Sequence, residues 1–170
     1  GSQPGFDNRR VEITARVGTC EGDAVIVHHS GWYVGYALFV ADRRLHFAVM
    51  DVPRPLRWDR LDARVTTVAA DAPVPSEGFT ASAVLEEDGT MRILLDGEEV
   101  GRGKADGALS IYPAGLLEVG RYTGDEYPER HRAFVTSDKP RFPALGPYSG
   151  CKEFPGTLDV VRITFGQRVG

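Results

Sequence analysis

The chain has 170 residues and a formal charge of −4, with 20 Lys and Arg against 24 Asp and Glu. That length fits one domain, which buries roughly 70% of its unfolded surface and needs neither a disulfide nor a metal simply to fold. A hydrophobic share of 42% excludes a disordered chain, and the absence of any run of five or six like charges argues against a nucleic-acid or polybasic membrane surface.

From the N-terminus, Val11, Ile13, Ala15 and Val17 alternate with Glu12, Thr14 and Arg16, a strand with one buried and one wet face. Strands are next predicted over Ala24 to His29, Val34 to Val40 and Leu45 to Met50, with a turn at Ala41 to Arg43. Arg64 to Ala69 and Phe79 to Leu85 follow, parted by Asp71 to Ser76, whose Pro73 and Pro75 no helix or central strand tolerates. Asp88-Gly89 and Asp96-Gly97 mark two successive hairpins that join Ala81 to Glu86, Met91 to Leu95 and Glu99 to Gly101. Leu116 to Gly120 is short and apolar, residues 121–153 form a long irregular insertion, and Thr157 to Phe165 alternates to the end. No window carries a helical i, i+3, i+4, i+7 stripe. The fold class is therefore all-β, about a dozen short strands in a two-sheet antiparallel β-sandwich.

The domain is expected to occupy residues 8–166, with 1–7 a cloning remnant (Gly1-Ser2) and linker, and 167–170 a tail. No apolar run approaches the roughly 18 to 20 residues that cross a bilayer. The basic residues are 17 Arg and 3 Lys, scattered rather than clustered, which reads as coding bias. Asn8 is the sole asparagine, so a sugar site built from several asparagine amides is excluded.

The order Val11-Glu12-Ile13-Thr14-Ala15, Gly22 to Val27, Gly35 to Val40, Leu45 to Val49, Leu94-Leu95-Asp96-Gly97-Glu98-Glu99-Val100, Leu117 to Arg121 and Phe154 to Leu158 resembles the concanavalin-A-like jelly-roll domain at the C-terminus of many bacterial arylsulfatases. It is similar, more distantly, to laminin-G-like modules. Two departures stand out: Asp42-Arg43-Arg44 replaces the usual Asp-Gly turn, and the segment from Tyr122 to Gly150 is long for the family.

The resemblance implies a non-catalytic accessory domain that packs on a catalytic domain of the same polypeptide or on an oligomer partner and shapes substrate access. Neither Cys20 nor Cys151 opens the Cys-x-Pro-x-Arg motif of a sulfatase, so sulfatase chemistry would lie outside this chain. A jelly-roll glycosidase is disfavoured, because Glu86-Glu87-Asp88-Gly89-Thr90-Met91 lacks the last carboxylate of Glu-x-Asp-x-x-Glu and falls at a hairpin turn, where it reads as solvated. The alternative is a carbohydrate-binding, lectin-like module. Trp32, Trp58 and Tyr122 are its candidate ligand-facing rings, since aromatic faces stack on sugar C–H groups.

His28 and His29 are adjacent on a strand and face opposite ways, so they cannot share one ion. The family often carries a rim calcium, for which Asp125 and Glu126 are the local candidates, weighed against plain solvation. Antiparallel pairing of first and last strands, as the family implies, brings Cys20 near Cys151. Two readings stand: a disulfide closing about 130 residues, worth about 4 to 5 kcal/mol and pointing to a periplasmic or secreted setting, or two free thiols.

Overall fold

The computed structural model describes residues 10–30, 34–51, 64–105, 117–121 and 154–166. Every regular element among them is a strand: β1 (Val11–Cys20), β2 (Ala24–Ser30), β3 (Gly35–Ala41), β4 (Arg44–Asp51), β5 (Arg64–Pro73), β6 (Phe79–Leu85), β7 (Thr90–Leu95), β8 (Glu98–Lys104), β9 (Leu117–Val119) and β10 (Gly156–Phe165). They form two five-stranded antiparallel sheets, β10-β1-β6-β7-β8 (sheet A) and β5-β4-β3-β2-β9 (sheet B), the expected all-β sandwich. The outer boundaries, 1–7 and 167–170, and all of the insertion beyond Arg121 and before Phe154 lie outside the described residues.

The period of two in β1 translates directly into packing. Val11, Ile13, Ala15 and Val17 are buried and meet Ala81, Ala83, Leu85, Met91 and Ile93 of the same sheet and Leu38, Leu45 and Phe47 of the other in one core. Each large side chain so buried contributes about 1.5–3 kcal/mol. Sheet B departs from that alternation. All seven residues of β3 are buried: Tyr36, Leu38 and Val40 face the main core, while Ala37, Phe39 and Ala41 join Val25, Ala48 and Met50 in a second apolar cluster. Strands buried on both faces read as continuous apolar runs, and Gly35-Tyr36-Ala37-Leu38-Phe39-Val40-Ala41 is one.

The first and last strands pair as expected, from Val11 opposite Phe165 to Cys20 opposite Gly156. Glycine makes the far end of that ladder close: a Cβ on Gly156 (φ +153) would stand 2.1 Å from the Thr19 carbonyl oxygen. At the opposite edge of the sandwich, Gly101 and Gly103 of β8 let sheet A approach β5, where a Cβ on Gly103 would lie 2.5 Å from Val68 Cγ2.

One expectation about turns is corrected and another is met. The strand expected to stop at Ala69 runs on to Pro73, which pairs with Arg44; β5 is an edge strand, so a proline lacking its N–H is tolerated there. The turn without Asp-Gly still closes tightly, with Asp42 and Arg43 both at positive φ (49° and 61°), the conformation for which Gly is usually selected. The Asp23 carboxylate holds it by accepting the Asp42 N–H at 3.0 Å. Asp96-Gly97, by contrast, is the turn its sequence predicts, with φ of 50° and 84°.

Candidate functional site

Trp32, Trp58, Tyr122, Asp125, Glu126 and Cys151 all lie outside the described residues. The strand ends that flank Trp32 and Trp58 share one rim of sheet B, where Ser30 pairs with Gly35, Gly35 with Met50, and Asp51 with Arg64. The chain reaches Tyr122 from further down the sheet, since Gly120 donates to the Ile26 carbonyl at 2.8 Å. Cys20 is a half-buried free thiol whose Sγ donates to the Gly22 carbonyl at 3.3 Å. Burial, and then the nearby Asp23 charge, push its pKa up, away from the reactive thiolate.

The same rim carries the buried polar side chains of sheet B. His28 opposes Ala37 of the second cluster, while His29 opposes Tyr36 of the main core, so the two rings face opposite ways as predicted. His28 Nδ1 lies 3.4 Å from Glu118 Oε2 of β9, with side chains only 6% and 5% exposed. This close approach of two buried polar side chains lies where β9 pairs with β2, His28 opposite Glu118. On the core side His29 Nδ1 and the Tyr36 hydroxyl are 3.2 Å apart, the rings meeting edge to face at 85°. His46 stacks on Phe39 at 5.2 Å. No group of three or more His, Cys, Asp or Glu side chains is gathered to hold a metal among the described residues.

The most developed surface feature is on the outer face of sheet A. Pairing places Glu12 beside Val84, Val84 beside Arg92, and Arg92 beside Arg102, one row across four strands. Arg10 and Glu86 stand next to that row. Glu86 is held by two arginines at once: Oε2 accepts from Arg10 Nε at 3.1 Å, and Oε1 from Arg92 at 2.8 Å. Arg10 also donates to Glu12 at 2.6 Å, and Arg102 to Glu99 at 3.0 and 3.2 Å. Val84, between Glu12 and Arg92 in that row, is 2% exposed despite facing outward.

Arg10, Arg92 and Arg102 line an open groove of about 490 Å³ together with Glu86, Glu87, Asp88 and Thr90. The Asp88 carboxylate accepts the Thr90 amide at 2.9 Å. The Thr90 backbone and side chain, and more weakly Lys104 at 3.4 Å, hold its pKa down at about 2. The turn is solvated, as its sequence suggests, with Glu87 and Asp88 exposed, and it also borders a groove in which Glu86 is held by two arginines. The alternation of Arg10 with Val11 and of Arg92 with Met91 and Ile93 marks these arginines as outward. The pairing of β1 with β6 brings Arg10 to Glu86, 76 residues away, and the β6–β7 hairpin brings Arg92 to it.

No protein-family model matches the chain, and no curated protein sequence is similar to it. Solved structures do share its architecture. Domains LG4-5 of the mouse laminin alpha1 chain superpose with a TM-score of 0.61 at 16% identity, over 96% of this chain and 37% of that one. The heptameric SAP-like pentraxin of Limulus polyphemus matches with a TM-score of 0.53 at 11% identity, over 91% of this chain and 63% of the other. The receptor binding domain of botulinum neurotoxin D gives 0.51 at 9% identity, over 71% and 31%. The chain thus spans between about a third and under two thirds of the length of these structures, none of which is a sulfatase. At such identities the likeness establishes the fold, and this chain is a jelly-roll β-sandwich of the kind seen in laminin G domains.

Proposed function

We propose that this chain is a non-catalytic ligand-binding domain of the lectin-like kind, using the outer face of sheet A. The groove of about 490 Å³ walled by clamped, charged side chains carries this reading. The groove is open rather than enclosing, so it suits the edge of a ligand, and Glu86, Arg10 and Arg92 are held in place by mutual ion pairs before the ligand arrives, which lowers the ordering penalty on binding. The pentraxin and toxin receptor-binding domains named above support it by analogy of architecture alone.

The accessory role first expected, packing on the catalytic domain of an arylsulfatase-like hydrolase, calls for a contiguous apolar docking patch. Among the described residues the large exposed hydrophobics are Val65, Leu117, Val119 and Val160, spread over the edge strands β5, β9 and β10. Three of the four lie on β9 and β10, which adjoin where Gly120 approaches Leu158 and Phe154, so the ligand-binding reading rests on the charged groove of sheet A. A glycan array probed with the purified domain tests it: saturable binding to a subset of glycans is expected. Failure to retain any glycan, together with a stable complex between this domain and an adjoining catalytic domain, would replace it with the accessory role.

A further inference from the structure

Resting on the ligand-binding reading, we infer that the sheet A groove takes a neutral polyhydroxyl ligand, a saccharide unit without an acidic group, gripped by Glu86 together with Arg10, Arg92 and Arg102. The charge inventory decides the ligand class. Three guanidiniums face three carboxylates around the groove, and the chain as a whole carries −4. An anion gains nothing net from such a wall and would have to compete with Glu86 for Arg10 and Arg92, and with Glu99 for Arg102. A cation meets arginine on as many sides as carboxylate.

A hydroxyl group differs from both, because it donates and accepts at once. Vicinal hydroxyls at a sugar ring edge therefore match an array in which donors and acceptors alternate. Glu86 uses one contact on each oxygen, and a carboxylate offers about four lone-pair directions, so each oxygen retains room to accept from a ligand hydroxyl. Arg92 donates one described bond to Glu86 out of five N–H groups. Fixing both partners matters as much as presenting them. Arg92 and Arg102 are directly opposite across β7 and β8, an unfavourable placement for like charges that Glu86 and Glu99 offset one each. The geometry is consequently set by ion pairs inside the protein, and a neutral ligand leaves them intact. Among the described residues the groove carries no aromatic platform, so weak, millimolar affinity is expected for a single sugar unit.

Amide NMR of the domain, titrated with the methyl glycosides of glucose, galactose and mannose and with a 6-sulfated galactoside, tests the assignment. At least one neutral glycoside is expected to shift the amides of residues 84–92 and 102 at millimolar concentration, equally in 50 and 500 mM NaCl. Glu86→Gln should weaken that binding about tenfold or more, through loss of a charged acceptor. Should Glu86→Gln prove unfolded, Arg102→Ala, at a side chain 61% exposed, supplies the same comparison. Shifts confined to the sheet B rim, near residues 28–36 and 50–51, would overturn the groove assignment while leaving a ligand-binding domain. Preference for the sulfated glycoside, weakened by salt, would overturn the neutral ligand class. Silence with every glycoside would overturn this inference, and the glycan array decides separately whether the ligand-binding reading stands.

Discussion

Replacing Gly103 with alanine probes the contact that brings the two sheets together at one edge. The added Cβ would sit 2.5 Å from Val68 Cγ2, where carbon atoms ordinarily keep about 3.5–4.0 Å. Val68 is 7% exposed and β-branched, so its methyl cannot swing aside freely. Overpacking of this sort costs about 1–3 kcal/mol. Reduced freedom of the unfolded chain returns about 0.4–1 kcal/mol. The net expectation is destabilisation of about 1–2 kcal/mol, read as a lower urea midpoint with unchanged slope. Val68→Ala should itself destabilise by about 1–3 kcal/mol through the lost methyls. Combined, the two substitutions should be milder than their sum by about 1 kcal/mol, because the truncated Val68 makes room for the new methyl. A neutral Gly103→Ala, or strict additivity in the double variant, would refute the close approach of β8 to β5.

Arg43→Gly should stabilise the protein by about 0.5–1 kcal/mol in thermal unfolding, since relief of the left-handed backbone at φ 61° outweighs the entropy glycine adds to the unfolded chain. Asp88 should titrate near pH 2 by carboxyl-detected NMR. Its folded pKa lies below the unfolded value, so its contribution to stability is present above about pH 4 and fades as pH falls through 2. Cys20 should be alkylated without reductant, slowly at neutral pH because its pKa is raised; identical mass with and without reductant supports two free thiols, whereas protection lifted only by reduction would restore the Cys20–Cys151 bridge.

What the sequence revealed depended on how local the determinant was. The alternation of Val11 to Val17 and the turn chemistry of Asp96-Gly97 are written in neighbouring residues, and both match the structure. The double burial of β3 is written there too, in a run without a polar residue, but alternation in flanking strands suggests a two-layer sandwich and hides it. Pro73 misled because its tolerance depends on β5 being an edge strand, a property of sheet order. The groove is the least legible feature. The Asp88-Gly89 hairpin sets Glu86 beside Arg92 and is legible in sequence, but only the pairing of β1 with β6 and of β7 with β8 adds Arg10 and Arg102. Aromatic residues, by contrast, draw the eye in any sequence: Trp32, Trp58 and Tyr122 suggest a sugar platform on residue type alone.

Hydrogen exchange with and without a retained neutral glycan tests the central claim most directly. Ligand binding through sheet A predicts slowed exchange over residues 84–92, with the β2 and β3 amides unchanged. Protection confined to the sheet B rim, with the β6–β7 hairpin exchanging as in the free protein, would contradict it.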